Sequence, residues 1–138
     1  MLVRLVRRFG LCVFAVLFLI GCSQTKTDVV GNWVMSESSS QYMPTQLRGS
    51  TPKLVINSDG TFSASNMPGS FHFSSEIISN TGQGKWTRIT DEGQDEIRLT
   101  FDGSYGGQLL VSDSWGGPTL SYFLGDPDQV HRIEFKRE

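Results

Sequence analysis

The run Glu96-Ile97-Arg98-Leu99-Thr100-Phe101 carries an apolar side chain at every second position. Side chains alternate between faces in a strand, so this pattern buries one face and leaves the other wet. Residues 53–57 and 61–64 repeat the alternation on either side of Ser58-Asp59-Gly60. That spacing predicts a hairpin, because aspartate and glycine supply the positive φ angles of a tight turn. Leu54, Ile56, Phe62 and Ala64 would then line its inner face. Further strands are expected at 31–36, weakly at 70–78, and at 84–90, 108–112, 119–124 and 130–137. Turn clusters at 91–93, 102–107, 115–118 and 125–128 separate them. No stretch after Cys22 repeats apolar residues at the helical period, and glycine interrupts most windows. Only a helical turn within 36–52 is compatible with the pattern. The expectation is an all-β domain, a single antiparallel up-and-down meander of about eight strands that closes into a barrel and so removes its edges. A flattened β-sandwich is the alternative. A barrel of this size either packs its own side chains or holds one small ligand, and the pattern does not choose.

The first residues follow a different logic. Arg4, Arg7 and Arg8 precede an apolar run of 12 residues, Phe9 to Ile20, which ends at Gly21 and Cys22. A bilayer's hydrocarbon core needs roughly 20 apolar residues in a helix, so the run fits a helical secretory signal rather than a permanent span. Leu19-Ile20-Gly21-Cys22 resembles the lipobox of bacterial lipoproteins. The resemblance implies cleavage between Gly21 and Cys22 and attachment of diacylglycerol to the Cys22 thiol. Cys12 lies in the discarded segment, so the mature chain has no pair for a disulfide, and lipidation accounts for the remaining thiol. On this reading residues 1–21 are the signal, 22–28 the lipidated N-terminus and a short tether, and 29–138 the folded domain. By the same resemblance Ser23, standing where an inner-membrane protein tends to carry aspartate, favours the outer membrane facing the periplasm in a Gram-negative envelope. In a Gram-positive envelope the site is the outer face of the plasma membrane.

With the three signal arginines removed, nine of the 12 Lys and Arg residues face all 14 Asp and Glu, a formal charge of −5. A nucleic-acid or anionic-lipid partner calls for a basic surface, so neither is expected as the main partner.

Gly31-Asn32-Trp33, the Asp59-Gly60-Thr61-Phe62 turn and Gly84-Lys85-Trp86 together resemble the pattern of lipocalin-like domains. The resemblance implies an eight-stranded antiparallel barrel in which the tryptophan of the first strand plugs the closed end. It also extends to small bacterial secreted proteins with a Gly-Asp-Pro-Asp turn before a final aromatic strand. Where lipocalins pack a helix beside the barrel before that strand, this chain has only the turn Gly125 to Asp128.

Groups suited to catalysis are few. His72 is expected on the solvent face between Phe71 and Phe73, while His131 shares a strand parity with Ile133 and Phe135 and is expected in the core or at the rim. Gly82-Gln83-Gly84-Lys85 lacks the first glycine and the Ser or Thr of a phosphate loop, and it enters a strand. Asp126 and Asp128 flank Pro127 in what reads as a rigid turn, since a calcium loop needs more oxygens than these supply. Asp91, Glu92, Asp95 and Glu96 read as a solvated hairpin tip. No catalytic residue, metal site or cofactor is assigned.

The aromatic residues in turns carry more information. Tyr105 and Trp115 sit among glycines, outside any alternating face, where large rings serve either as binding anchors or as plugs folded over a barrel end. Segment 36–52, with Tyr42, Met43 and Leu47 in a polar background, has the length of a lid. The expected function is a lipid-anchored, non-catalytic binding module for a small apolar ligand, with Tyr42, Met43, Tyr105 and Trp115 as possible contacts. The alternatives are an envelope interaction or inhibitor protein that binds a protein partner through its loops, and, last, an enzyme.

Overall fold

A computed structural model describes residues 26–69, 78–91, 93–102, 106–124 and 131–138. Eight strands follow in order: β1 Gly31–Met35, β2 Lys53–Ile56, β3 Thr61–Gly69, β4 Ile78–Asp91, β5 Gln94–Phe101, β6 Gly107–Ser114, β7 Gly117–Phe123 and β8 Arg132–Arg137. Each pairs antiparallel with the next, and β1 pairs with β8, so the sheet closes into an up-and-down barrel. The β1–β8 ladder, Trp33 opposite Arg137 and Met35 opposite Phe135, excludes the flattened sandwich. Of the weak strand expected at 70–78 only Ile78 is described, as the first residue of β4; the turn at 125–128 and the helical signal lie outside the described residues.

Period-two alternation becomes an interior because residues opposite one another in an antiparallel ladder point to the same face. The register Trp33–Leu54–Ala64 joins three inward positions across β1, β2 and β3, and Leu120–Phe135–Met35 does so across β7, β8 and β1. Trp33, Leu54, Ile56, Phe62, Ile97, Leu99, Leu109, Leu120, Ile133 and Phe135 are buried. The predicted inner face of the β2–β3 hairpin is correct at all four positions. Each large apolar side chain so buried contributes about 1.5–3 kcal/mol against the entropy of ordering the chain.

The β2–β3 turn departs from expectation in one respect. Gly60 alone takes a positive φ, 85°, and Asp59 does not. Asp59 instead accepts hydrogen bonds from the Thr61 amide and hydroxyl at 2.9 and 2.6 Å, which hold its carboxyl below the ordinary carboxylate range. The turn is therefore braced by the aspartate and released by the glycine. Strand β3 is longer than predicted because it bulges between Ala64 and Met67, where Asn66 adopts φ 54° and its amide donates to the Thr81 hydroxyl at 3.0 Å.

Candidate functional site

The strand directions give the barrel two different ends. One gathers the N-terminal residues 26–30, the 57–60 turn, the β4–β5 and β6–β7 hairpins and the C-terminus. The other gathers segment 36–52 and the connections after β3, β5 and β7.

The first end is stoppered. Trp33 is fully buried, and its indole N–H donates to the Val29 carbonyl at 2.9 Å. The Arg137 guanidinium lies over the same ring, 5.2 Å from its centroid, where a cation gains from the ring's negative face. Beside them Arg88 and Asp95 form a two-pronged ion pair, with Arg88 Nε donating to Asp95 Oδ1 at 2.7 Å and the second prong between Nη2 and Oδ2. The bond from Arg88 is the first cause that lowers the Asp95 carboxyl below its usual range; burial works against it. Asp95 is thus not part of a solvated tip, as the sequence suggested. It pairs opposite Thr90 and diagonally to Arg88, on the face that turns inward.

Chain 26–30 is drawn across this end. Arg88 donates to the Thr27 carbonyl at 2.8 Å and Arg137 to the Asp28 carbonyl at 2.6 Å. The Thr27 hydroxyl reaches Asp113 on β6 at 3.5 Å, and Lys26 reaches Thr90 on β4 at the same distance. Residues 26–28, expected as tether, are therefore held on the barrel, because two arginines present donors to their carbonyls.

The second end is covered by a lid of two short 3-10 turns, Glu37–Tyr42 and Thr45–Leu47. The Ser36 amide donates to the Glu134 carbonyl at 2.7 Å, and the Glu134 amide donates back to the Ser39 hydroxyl at 2.9 Å. Ser36 and Ser39 are themselves linked at 2.9 Å and buried. The lid thus takes the place beside β8 that a longer β1 would fill. Met43 is inserted into the hydrophobic core, with Leu47 packed against it. Met43 therefore lies inside, as part of the core, and Tyr42 outside, half exposed.

The Tyr42 ring stacks on His131, centroids 5.4 Å apart. His131 is exposed rather than directed into the core. The Leu124 amide donates to the His131 carbonyl at 2.9 Å and continues the β7–β8 register, so His131 stands at the rim, where Tyr42 rather than the core meets its ring. Trp115 is fully exposed at the tip between β6 and β7, on the stoppered end, and does not fold back as a plug. Tyr105, His72, Cys22, Asp126 and Asp128 lie outside the described residues. The lid and Trp115 are thus at opposite ends and do not form one site.

Two features were missed in the sequence. The Arg88–Asp95 pair was hidden because each residue reads as a surface charge, although a seven-residue spacing across a hairpin tip places them on one face. Tyr122 points into the barrel opposite Ile133, and burial pushes its phenol up to about 12. Among the described residues no three His, Cys, Asp or Glu side chains converge on a common point, and no buried side-chain polar atom lacks a partner. Comparison with protein-family models, curated proteins and solved structures gave no significant match.

Proposed function

We propose that this protein is a lipid-anchored, non-catalytic binding module of the cell envelope that takes a small apolar molecule inside its barrel. One observation carries the reading: the interior is filled with apolar side chains and closed at its two ends by unlike devices. The stoppered end is held by an ion pair, a cation over a ring and hydrogen bonds to main-chain carbonyls. The lid is held through Ser36, Ser39 and Glu134, and reaches the core through Met43. A ligand entering from the lid end displaces Met43 and the hydrogen bonds of Ser36, Ser39 and Glu134 but breaks no ion pair, and methionine adapts its shape to what it packs against. Fatty acyl chains or other slender hydrocarbons suit such an interior, since among the described residues no buried side-chain polar atom lacks a partner.

The anchor belongs to the same reading and rests on Leu19-Ile20-Gly21-Cys22. Organic extraction of the purified protein, followed by mass spectrometry, tests the ligand. A co-purifying apolar compound, rebound by the stripped protein and excluded when Met43→Trp fills the entrance, is the expected result. A stripped protein that takes up no fluorescent fatty acid would overturn it.

A further inference from the structure

We infer that Trp115 is a membrane-interface contact, which turns the stoppered end of the barrel to the bilayer and the lid away from it. The inference rests on the lipid anchor at Cys22.

Trp115 is the most exposed large apolar residue among the described residues, at the tip Ser114-Trp115-Gly116-Gly117. Its neighbours Gly116 and Gly117 give it no cover, and Gly117 turns the chain with φ 95°. An indole with an apolar body and one N–H donor is suited to the boundary between headgroups and acyl chains.

The chain itself supplies the membrane at this place. Thr27 bonds to Asp113, two residues before Trp115, and its carbonyl is held by Arg88. Lys26 is bound to β4 at the same end. Cys22 stands only four residues before Lys26, a span of about 14 Å at most. Two residues from Asp113 to Trp115 add a further reach of about 7 Å. The anchored lipid and the indole are therefore confined to one neighbourhood. Had residues 26–30 been free, the barrel could present any side to the bilayer.

The charges at this end decide the kind of lipid. Arg88 is paired with Asp95 and Arg137 with Asp28, which leaves Lys26 facing the exposed acids Asp59, Asp91 and Asp113, so an anionic surface repels rather than recruits. The contact is apolar and takes a zwitterionic bilayer, with little dependence on salt.

The test uses the full mature protein, purified from membranes and reconstituted into phosphatidylcholine vesicles whose acyl chains carry bromine near the headgroup. Trp33 is fully buried and Trp86 partly so, and the Trp115→Phe variant isolates the signal of the third tryptophan. Wild-type fluorescence is expected to be quenched by the brominated lipid and protected from aqueous acrylamide, with both effects lost in Trp115→Phe. Adding phosphatidylglycerol to the vesicles should not deepen the quenching. If Cys22 is acylated by mass spectrometry but Trp115 stays open to acrylamide and unquenched by bromine, the orientation is wrong and the anchor stands. An unmodified Cys22 overturns both. Protection of Trp115 by a co-purified protein in detergent, without lipid, assigns the tip to a protein partner and also overturns the proposal.

Discussion

Gly84 pairs with both neighbouring strands, opposite Phe62 of β3 on one side and Phe101 of β5 on the other. A Cβ on its backbone would stand 2.0 Å from the Thr100 carbonyl oxygen and 2.8 Å from the Phe101 Cα, where ordinary contact begins at 3.4 Å. Both atoms are main chain, so no rotamer change relieves the clash and β4 must part from β5. Parting also disturbs the edge-on pair of Phe62 and Phe101, centroids 5.0 Å apart. Overpacking costs about 1–3 kcal/mol and an aromatic pair is worth about 0.5–1.5 kcal/mol, so Gly84→Ala should lose about 2–4 kcal/mol. For a domain near 100 residues that is a fall in Tm of roughly 10–20 °C. Gly60→Ala is the control: its φ is 85° but nothing lies within 4 Å of the added carbon. It bears only backbone strain, about 1 kcal/mol. Thermal and urea unfolding followed by near-ultraviolet circular dichroism measures both. A Gly84→Ala protein that melts no lower than Gly60→Ala would refute the steric argument.

Three further outcomes are expected. Asp95 has its carboxyl lowered by Arg88, so its contribution is complete above the unfolded value and lost as pH falls through the lower folded one. Asp95→Asn should accordingly cost about 1–3 kcal/mol at neutral pH, with the difference in urea midpoint from wild type vanishing in acid. Tyr122 has a folded value of about 12 against 10.0, so stability is intact below pH 10.0 and declines above it. One of the three tyrosines should titrate late by absorbance, and Tyr122→Phe should remove both effects. Cys22→Ala should leave an uncleaved, unlipidated precursor by mass spectrometry, and a mature-length product from the variant would count against the lipobox reading.

The strands were legible where one face is buried and the other wet. Leu54, Ile56, Phe62, Ile97 and Leu99 announce their direction by alternation alone. Length was harder: β4 runs to 14 residues because its two halves serve different neighbours, β3 and then β5, and Gly82 and Gly84 hide the inward parity there. The lid was visible as a long polar insertion, yet not that Met43 enters the core while Tyr42 remains outside, since both are apolar and adjacent. Charge pairs at the stoppered end were not legible, because Arg88, Asp95 and Arg137 meet residues 26–28 only once the barrel exists. Trp115 was singled out by its glycines, and the structure removed one of its two readings by leaving the ring uncovered.

The β1–β8 ladder has a consequence in time. Arg137 closes on Asp28 across 109 positions of the chain, so a chain delivered N-terminus first holds β1 as an open edge until β8 arrives. Hairpins can form along the way, but the barrel cannot. A chain cut before Arg132 would carry two open edges where the complete ring has none. The six residues of β8 thus decide whether the preceding strands form a closed vessel or a sticky ribbon.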